Sequence, residues 1–436
     1  MPLTQTIHPE HLKPPVFVDA FAGCGGLSLG LLNAGWEGLF AIEKDANAFA
    51  TLKHNLIDPT GHCQKFGWPN WLPAAPIDIS NLLVTHINQL SALNSRIDLL
   101  AGGPPCQGFS SAGRRQADDP RNELFRAYIN LVEVLSPSIV LIENVRGIGL
   151  EFKSQKGKEP INYAKEIERA LSAAYQTQWQ LLKASDFGVP QNRERLILIA
   201  TKKGLPSPES IFHEIRKHSE QFSFERKLIP PVSSYSALSD LEVSRNGTRP
   251  SSDSPGFDEI AYYRPLTTYQ QLMNAGMSSH MTDTRLARHR SSISERFQSI
   301  IKQCNELGRL NKSLNKEMRE SYAMKKRAFR VIDPHSPSPT VTSMPDDLLH
   351  YQEPRTLTVR ENARLQSFPD WFEFKGKYTS GGARRKMEVP RFTQVANAVP
   401  PLMAEAIGLQ LKQAIINSKV DINQDRNLAE VFPMLD

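Results

Sequence analysis

The sequence predicts an α/β fold in which a mostly parallel sheet carries helices on both faces, with a second, smaller region after it. Three observations predict this class. Apolar strands alternate with helices of ten to fifteen residues up to Thr201, a glycine-rich turn directly follows the first strand, and the alternation stops after Thr201. Such alternation is typical of βαβ units, which build parallel sheets.

The elements follow one another in a regular order. Residues 16–43 predict a strand, a glycine turn, a helix and a second strand. The elements predicted after this unit are a helix at 45–55, a strand at 97–102, a helix at 122–135, a strand at 138–143, a helix at 161–174, and strands at 179–184 and 195–201.

Stretches rich in Pro, Ser and Gly replace this pattern after Thr201 and predict a domain boundary. Residues 281–330 are predicted to be helical and basic, and a final apolar helix is predicted over 400–417. We therefore divide the chain into a main domain over 1–201, a small domain over 202–390 and a segment over 391–436 that returns to the main domain.

Composition excludes several classes of protein. The chain has 436 residues, of which 40% are hydrophobic and 22% charged, and no apolar run approaches the roughly 20 residues of a bilayer span. The first residues lack a secretory signal pattern, so we expect a cytoplasmic protein. The four cysteines form no CxxC pair and no metal-ligand spacing, which argues against a disulfide framework or a zinc site.

The positive charge is concentrated in one segment. The formal net charge is +6, and residues 281–330 hold 13 Lys and Arg against 5 Asp and Glu. This segment is the candidate contact for a polyanion, although a solvated helical face is the ordinary explanation for any single Lys or Arg.

The glycine turn DAFAGCGG lies where a nucleotide-type fold binds its ligand. Glycines allow close approach of a ligand to the backbone, and Glu43 ends the second strand 20 residues after Gly23, where a carboxylate can bind both ribose hydroxyls. Ser28 occupies the third glycine position of the dinucleotide pattern, which argues against NAD and favours an adenosine-containing cofactor. The alternative is that the glycines serve only tight packing. Cys24 is interpreted as a buried structural residue.

A second loop, GGPPCQGFSS, follows the strand at 97–102 and so lies at the carboxyl edge of the sheet. Pro104 and Pro105 stiffen the loop before Cys106, while Gly108 and its small neighbours leave room for a flat substrate. A lone loop cysteine is more often inert than reactive, but a thiolate is a strong nucleophile.

Charged residues end the neighbouring strands. Glu143 and Asn144 close an apolar strand at the same edge, and Arg193 and Arg195 stand at alternate positions before the last strand, so both are expected to point to one side. We expect Glu143 and the two guanidinium groups to converge with the cysteine of the second loop in one pocket.

Taken together, the ordered motifs DAFAGCGGLSLG, GGPPCQGFS, ENV, QNRER, RTLTVRENARLQSFPD and QVANAVPP resemble those of the DNA (cytosine-5)-methyltransferases. The resemblance spans residues 16–201 and 333–408. It implies a Rossmann-like S-adenosylmethionine-dependent methyltransferase domain over 1–201 and a target-recognition domain within 202–390. Ala396 stands where the family commonly has Gly, and Thr356 where it commonly has Pro, which bears only on local packing.

The resemblance implies a mechanism and its residues. Cys106 would add to C6 of a cytosine rotated out of the duplex, Glu143 would hold N3 and the exocyclic amine, and Arg195 would bind O2 with Arg193 in support. Gln107 and Ser110, together with Arg195, would contact DNA. The cofactor would be S-adenosylmethionine, with S-adenosylhomocysteine as product, and no metal is expected. The residues that the resemblance assigns to the cofactor are Phe21, Gly23, Gly25, Leu27, Glu43, Lys44, Asp78, Ile79, Pro105, Leu124, Asn397 and Val399.

The implied partner is duplex DNA, with a cognate restriction endonuclease acting on the same site as a further candidate partner and no membrane partner. We expect a nucleoid-associated modification enzyme of a restriction-modification system that acts as a monomer on DNA. Two alternatives stay open: a transfer RNA cytosine-5 methyltransferase, although its Cys-Phe-Thr tripeptide is missing from the middle region, and a catalytically silent DNA-binding protein. A DNA amino-methyltransferase is disfavoured, because its Pro-Pro motif ends in an aromatic residue where this chain has Cys106.

Overall fold

The computed structural model describes residues 13–58, 62, 66–104, 121–149, 162–277, 280–379 and 388–431, with the backbone alone for residues 121, 122, 163 and 420–431. A six-stranded central sheet organises the main domain. The strands of this sheet are β1 (Val16–Ala20), β2 (Glu37–Ile42), β3 (Leu99–Gly102), β4 (Ile139–Val145), β5 (Tyr175–Lys183) and β7 (Glu194–Lys202). They run in the spatial order β2-β1-β3-β4-β7-β5, and only β7 is antiparallel to its neighbours.

Six short strands pair in twos outside this sheet. They are β6 (Gln191–Asn192) with β11 (Ser338–Pro339), β8 (Thr248–Pro250) with β9 (Asp258–Ile260), and β10 (Arg330–Val331) with β12 (Leu348–Leu349).

The helices of the main domain cover both faces of the sheet. They are α1 (Gly26–Asn33), α2 (Ala46–Leu52), α3 (Ile79–Thr85), α4 (Ile87–Ser91), α5 (Arg121–Leu135), α6 (Tyr163–Leu171), α15 (Arg391–Asn397) and α16 (Pro401–Val431). Between them in the chain lie α7 (Pro208–Lys217), α8 (Ser219–Glu225), α9 (Ser234–Leu238), α10 (Val243–Asn246), α11 (Thr268–Asn274), α12 (Ser291–Glu306), α13 (Lys316–Ser321) and α14 (Val359–Leu365).

The predicted strand and helix alternation is confirmed, and the sheet is mostly parallel as expected. The exception, β7, matters for the site. Because β7 runs antiparallel to β4, its first residues meet the carboxyl end of β4, and Arg195 pairs in register with Val145. The start of one strand and the end of its neighbour therefore share one edge of the sheet.

Two large apolar clusters form the core, one on each face of the central sheet. The last helix belongs to the first of them: α16 packs along α1, and the indole Nε1 of Trp36 donates a 2.8 Å hydrogen bond to the carbonyl oxygen of Gly408. The helix predicted over 400–417 is thus present, and it continues to Val431.

Two small cores lie wholly within 241–349, one around Phe297 and one around Ile260. The first large core also takes residues from 202–390, including Ile211 on α7, so packing is continuous across the proposed boundary at Thr201. The domain limits stay a prediction. The helical expectation for 281–330 is only partly right, because helix covers 291–306 and 316–321 and the connecting segments are irregular.

Within the part of the chain that the structure describes, no helix combines the length and apolar character needed to cross a bilayer.

Candidate active site

The glycine turn between β1 and α1 forms a cradle above the carboxyl edge of the sheet. Gly23 has a φ of 58°, and a side-chain Cβ built there would meet no atom within 4 Å. The left-handed backbone conformation favours a glycine, and the space in front of it is open. The amide N–H of Gly23 donates to Oε2 of Glu43 at 2.9 Å, which joins the two predicted halves of the cofactor site.

Glu43 is held by backbone donors on both carboxylate oxygens. Besides Gly23, the amide of Asp45 donates to Oε1 at 2.7 Å. Burial raises the pKa of this carboxyl, while the two amide donors oppose the shift. Each carboxylate oxygen retains further acceptor capacity, which suits a vicinal diol. The amide of Ile77 donates to the backbone carbonyl of Glu43 at 2.8 Å and so ties the segment before α3 to the end of β2.

Asp78 caps the start of α3, where its carboxylate accepts from the amide of Ser80 at 2.9 Å. An open glycine cradle, a carboxylate and a second acidic residue therefore meet at one place. This arrangement fits the adenosine portion of S-adenosylmethionine, because a ribose diol and an exocyclic amine are both hydrogen-bond donors to carboxylates.

Two buried groups lie beneath the turn. Asp19, at 0% exposure on β1, accepts from the hydroxyl of Ser28 at 2.5 Å, and burial raises the pKa of its carboxyl to about 7, with the Ser28 bond opposing and the charge of Glu43 adding to the shift. Burial likewise raises the pKa of the Cys24 thiol to about 12. A thiol of that pKa is no nucleophile near neutrality, in agreement with the structural interpretation of Cys24.

The opposite end of the site is an ion pair between β4 and β7. Nε of Arg195 lies 2.9 Å from Oε1 of Glu143, and both side chains are nearly buried, at 13% and 11% exposure. The pair is in contact without the alignment of a hydrogen bond, and Oε1 has no hydrogen-bond donor among the described residues. Oε1 of Glu143 is thus paired in charge with Arg195 but retains its capacity to accept a hydrogen bond.

Asn144 fixes the start of the cysteine loop. Its Nδ2 donates to the carbonyl oxygen of Pro104 at 3.0 Å, and a Cβ built on Gly103 would lie 3.5 Å from Oε2 of Glu143. The loop therefore leaves the sheet directly beside the Glu143 carboxylate. The next residues of the loop, Pro105, Cys106, Gln107 and Ser110, lie outside the described part of the chain.

Arg193 and Arg195 have different partners. Arg193 is 2% exposed and donates to the carbonyl oxygens of Ala396 and Ala398, at 3.0 and 2.9 Å. It thereby holds the backbone on both sides of Asn397, an exposed residue at the end of α15. The carbonyl oxygen of Val399 packs against the start of α1, where a Cβ on Gly26 would come within 2.4 Å of it.

The remaining predicted cofactor residues lie on the same elements, and their roles stay predictions. Phe21 has a φ of 59° and its ring is 6.4 Å from that of Tyr128, and Leu124 is partly buried on α5. The others are Leu27 and Ile79, which are buried, Lys44, which is exposed, and Gly25, which caps α1.

Two glutamines that sequence reasoning left unassigned tie these elements together. Nε2 of Gln191 donates to Oε1 of Gln366 at 3.0 Å, and Nε2 of Gln366 donates to the carbonyl of Val395 at 2.8 Å. Both lie inside recognised motifs, QNRER and RLQSF, but nothing in local sequence indicates that the two side chains meet.

The motif RTLTVRENARLQSFPD also contains buried arginines. Arg364 is fully buried and binds the carboxylates of Asp240 and Asp370, with contacts from 2.5 to 3.0 Å. Arg355 binds Glu353 and Glu361 in the same manner. These clusters join α14 to the segments before it and fix its position relative to the site. In the described residues, no group of His, Cys, Asp and Glu is arranged to hold a metal ion.

A mostly parallel sheet, a glycine turn bonded to the carboxylate that follows β2, and a carboxylate–guanidinium pair at the same edge are the arrangement expected of an α/β methyltransferase. Residues 16–413 match the C-5 cytosine-specific DNA methylase family, and the chain belongs to this family, whose members are DNA (cytosine-5)-methyltransferases.

Curated relatives agree. The chain is 30% identical to the Type II methyltransferase M.DdeI of Desulfomicrobium norvegicum, over 94% of this chain and 91% of that protein. It is 32% identical to the Type II methyltransferase M.XorII of Xanthomonas oryzae pv. oryzae, over 92% and 85%. A prophage-encoded E. coli protein described as a candidate DNA modification methyltransferase has a similar structure, with a TM-score of 0.63, 26% identity and coverage of 92% and 99%.

Proposed function

We propose that this chain methylates C5 of a flipped-out cytosine in a specific duplex DNA sequence through a covalent bond between Cys106 and C6. The observation that carries the proposal is the Glu143–Arg195 pair at the point where the cysteine loop leaves β3. A carboxyl group and a guanidinium are there side by side, within a nearly buried edge of the sheet. They suit the N3, amine and O2 edge of cytosine.

Cys106 would attack C6 as a thiolate, and the base would then carry enamine character at C5. Glu143 holds N3 and the exocyclic amine, and a proton or hydrogen bond at N3 accepts the electron density that the thiolate adds. Arg195 binds O2. Loss of the C5 proton and expulsion of the thiolate restore the aromatic ring and free the enzyme.

The cofactor would lie between the glycine turn and the Asn397 segment. Bound S-adenosylmethionine supplies the methyl group that C5 accepts, leaving S-adenosylhomocysteine. Glu43 holds the ribose, Asp78 the adenine amine, and Asn397 and Val399 close the methionine side. The open space at Gly23 supports this placement.

The DNA partner would be bound by the basic segment 281–330, whose exposed lysines include Lys302 and Lys316. The target base has to leave the stack because its ring carbons are otherwise out of reach. The Type II relatives support a modification role beside a restriction endonuclease with the same site.

The test is transfer of a labelled methyl group to duplex DNA, with transfer RNA as the competing substrate. The wild type should form a stable adduct with DNA that contains 5-fluorocytosine, since C5 fluorine blocks the elimination step. Cys106→Ala should abolish transfer and should form no adduct, because the nucleophile is missing. The matched control is Cys304→Ala, a buried cysteine in the small core around Phe297, which should keep activity and adduct formation. Transfer by Cys106→Ala would refute the covalent mechanism, and preference for transfer RNA would refute the substrate.

A further inference from the structure

Arg193 is a buried cation without a counter-ion among the described residues. Its two terminal nitrogens bind backbone carbonyls, and its Nε has no hydrogen-bond partner there. Burial lowers the pKa of this guanidinium well below its usual value; the charge of Arg195 adds to the shift and that of Glu143 opposes it. Burying a charge without a counter-ion costs free energy, and the two carbonyl bonds of Arg193 offset part of that cost.

Those bonds hold the backbone of residues 396–398, to which Gln366 also donates, at the carbonyl of Ala398. Arg193 binds the carbonyls of Ala396 and Ala398, which are the residues on either side of Asn397. On the far side, the carbonyl of Val399 is packed against Gly26. The segment is thus pressed between the start of α1 and one guanidinium group, and its exposed member is Asn397.

The same stretch of chain reaches the substrate end of the site. Two residues after Arg193, Arg195 contacts Glu143. Two residues before it, Gln191 binds Gln366, which in turn binds the carbonyl of Val395. Gln191, Arg193 and Arg195 alternate along one segment. The first two bind the backbone of residues 395–398, Gln191 through Gln366, and the third contacts the carboxylate of Glu143.

We propose that Arg193 is a positioning residue for the amino-acid end of the cofactor: it sets the backbone of residues 396–398 so that Asn397 meets the methionine portion. The inference rests on the proposed function, in which Asn397 and Val399 close that side of the cleft. It predicts a defect that depends on the ligand. Loss of the two bonds from Arg193 to the carbonyls of Ala396 and Ala398 should weaken the binding of ligands that possess the amino-acid portion and leave the binding of the adenosine portion unchanged.

The test compares two ligands by isothermal titration calorimetry: S-adenosylhomocysteine, and 5′-methylthioadenosine, which keeps the adenosine and the thioether but lacks the amino-acid group. Arg193→Lys retains a charge but cannot span two carbonyls. We expect it to weaken S-adenosylhomocysteine about tenfold and methylthioadenosine less than about twofold, the scale of one or two lost hydrogen bonds.

The matched control is Arg360→Lys, another fully buried arginine, which donates to the carbonyls of Pro369 and Phe372. It should lower the melting temperature and leave both affinities unchanged. Gln366→Met removes the bonds to the carbonyls of Val395 and Ala398 and should give the same selectivity as Arg193→Lys with a smaller effect. It replaces that variant if the latter fails to fold.

Equal weakening of both ligands, or no change in either, by Arg193→Lys or by its replacement would overturn the positioning role. Wild-type methyl transfer is measured in parallel. If the wild type transfers methyl groups but the selectivity is missing, only the role of Arg193 falls. If the wild type does not bind S-adenosylhomocysteine, the proposed function falls with it.

Discussion

Arg195 and Glu143 lie on neighbouring antiparallel strands, with Nε of the arginine 2.9 Å from Oε1 of the glutamate. The contact exists because β7 begins where β4 ends. Two residues 52 positions apart in sequence are thus placed side by side by one reversal of strand direction.

Glu143→Gln should lower the methyl-transfer rate by about 10² to 10⁴, the usual contribution of a positioned acid or base. The amide keeps the shape of the side chain but cannot deliver a proton to N3. Transfer of labelled methyl groups measures the rate, and calorimetry with S-adenosylhomocysteine should show affinity within about twofold of the wild type. A variant with an unimpaired rate would remove Glu143 from the mechanism.

The buried Asp19 predicts how stability changes with pH. Its pKa is raised by burial to about 7, so the folded protein holds a proton that the unfolded chain, with a pKa of about 3.9, releases earlier. Between pH 5 and about 7 the folded state carries this proton and the unfolded chain does not. Raising the pH therefore favours the unfolded chain, and the free energy of unfolding falls.

Asp19→Asn has no such proton to lose. The stability of this variant relative to the wild type should therefore increase from pH 5 to pH 8, as measured by urea unfolding at each pH, whatever the offset at pH 5. The same substitution at the exposed Asp258 is the control and should run parallel to the wild type. Parallel profiles for Asp19→Asn as well would contradict the raised pKa.

Arg364→Met leaves the buried carboxylates of Asp240 and Asp370 without their cation. Removing one partner of a buried ion cluster costs about 3 to 5 kcal/mol of unfolding free energy. Urea unfolding followed by tryptophan fluorescence measures the loss. Arg169→Met, which removes an exposed pair with Glu166 on α6, should change stability by less than about 1 kcal/mol. Similar effects of the two substitutions would show that the cluster does not stabilise the fold.

The basic segment predicts a salt dependence of DNA binding. Lys302→Gln combined with Lys316→Gln removes two exposed charges, of 77% and 81% side-chain exposure. If both contact phosphates, the slope of log K against log salt should become less steep by about 1 to 2. Fluorescence anisotropy at several salt concentrations measures the slope. Lys217→Gln, an exposed lysine on α7, is the control, and an equal change there would argue against a specific role for the segment.

Local sequence was enough to predict the alternation of strands and helices and to assign Gly23 and Glu43 to one candidate site. Both depend on short-range rules: the periodicity of apolar residues, and a carboxylate at the end of the strand that follows a glycine turn. The hydrogen bond between the amide of Gly23 and Glu43 was not predicted and is a finding of the structure.

The contacts that join distant motifs could not be predicted in this way. Gln191 and Gln366 are 175 residues apart, and Arg193 and Ala396 are 203 apart, so no periodicity relates them. Arg364 would pass for a surface charge in the sequence, because Asp370 lies close enough for an exposed pair and the second partner, Asp240, lies 124 residues before it. Burial of a charge depends on tertiary partners, and a single sequence does not contain that information.

The hydrogen bond between Trp36 and Gly408 limits how early this core can form during synthesis of the chain. These residues are separated by 372 positions, so at a synthesis rate of about 5 to 20 residues per second, roughly 20 to 75 seconds pass between their appearance on the ribosome. Throughout that interval α1 lacks the helix that packs along it in the folded protein. The core between α1 and α16 therefore cannot close until residue 408 has been synthesised, so it is completed long after the first strand of the sheet has been made.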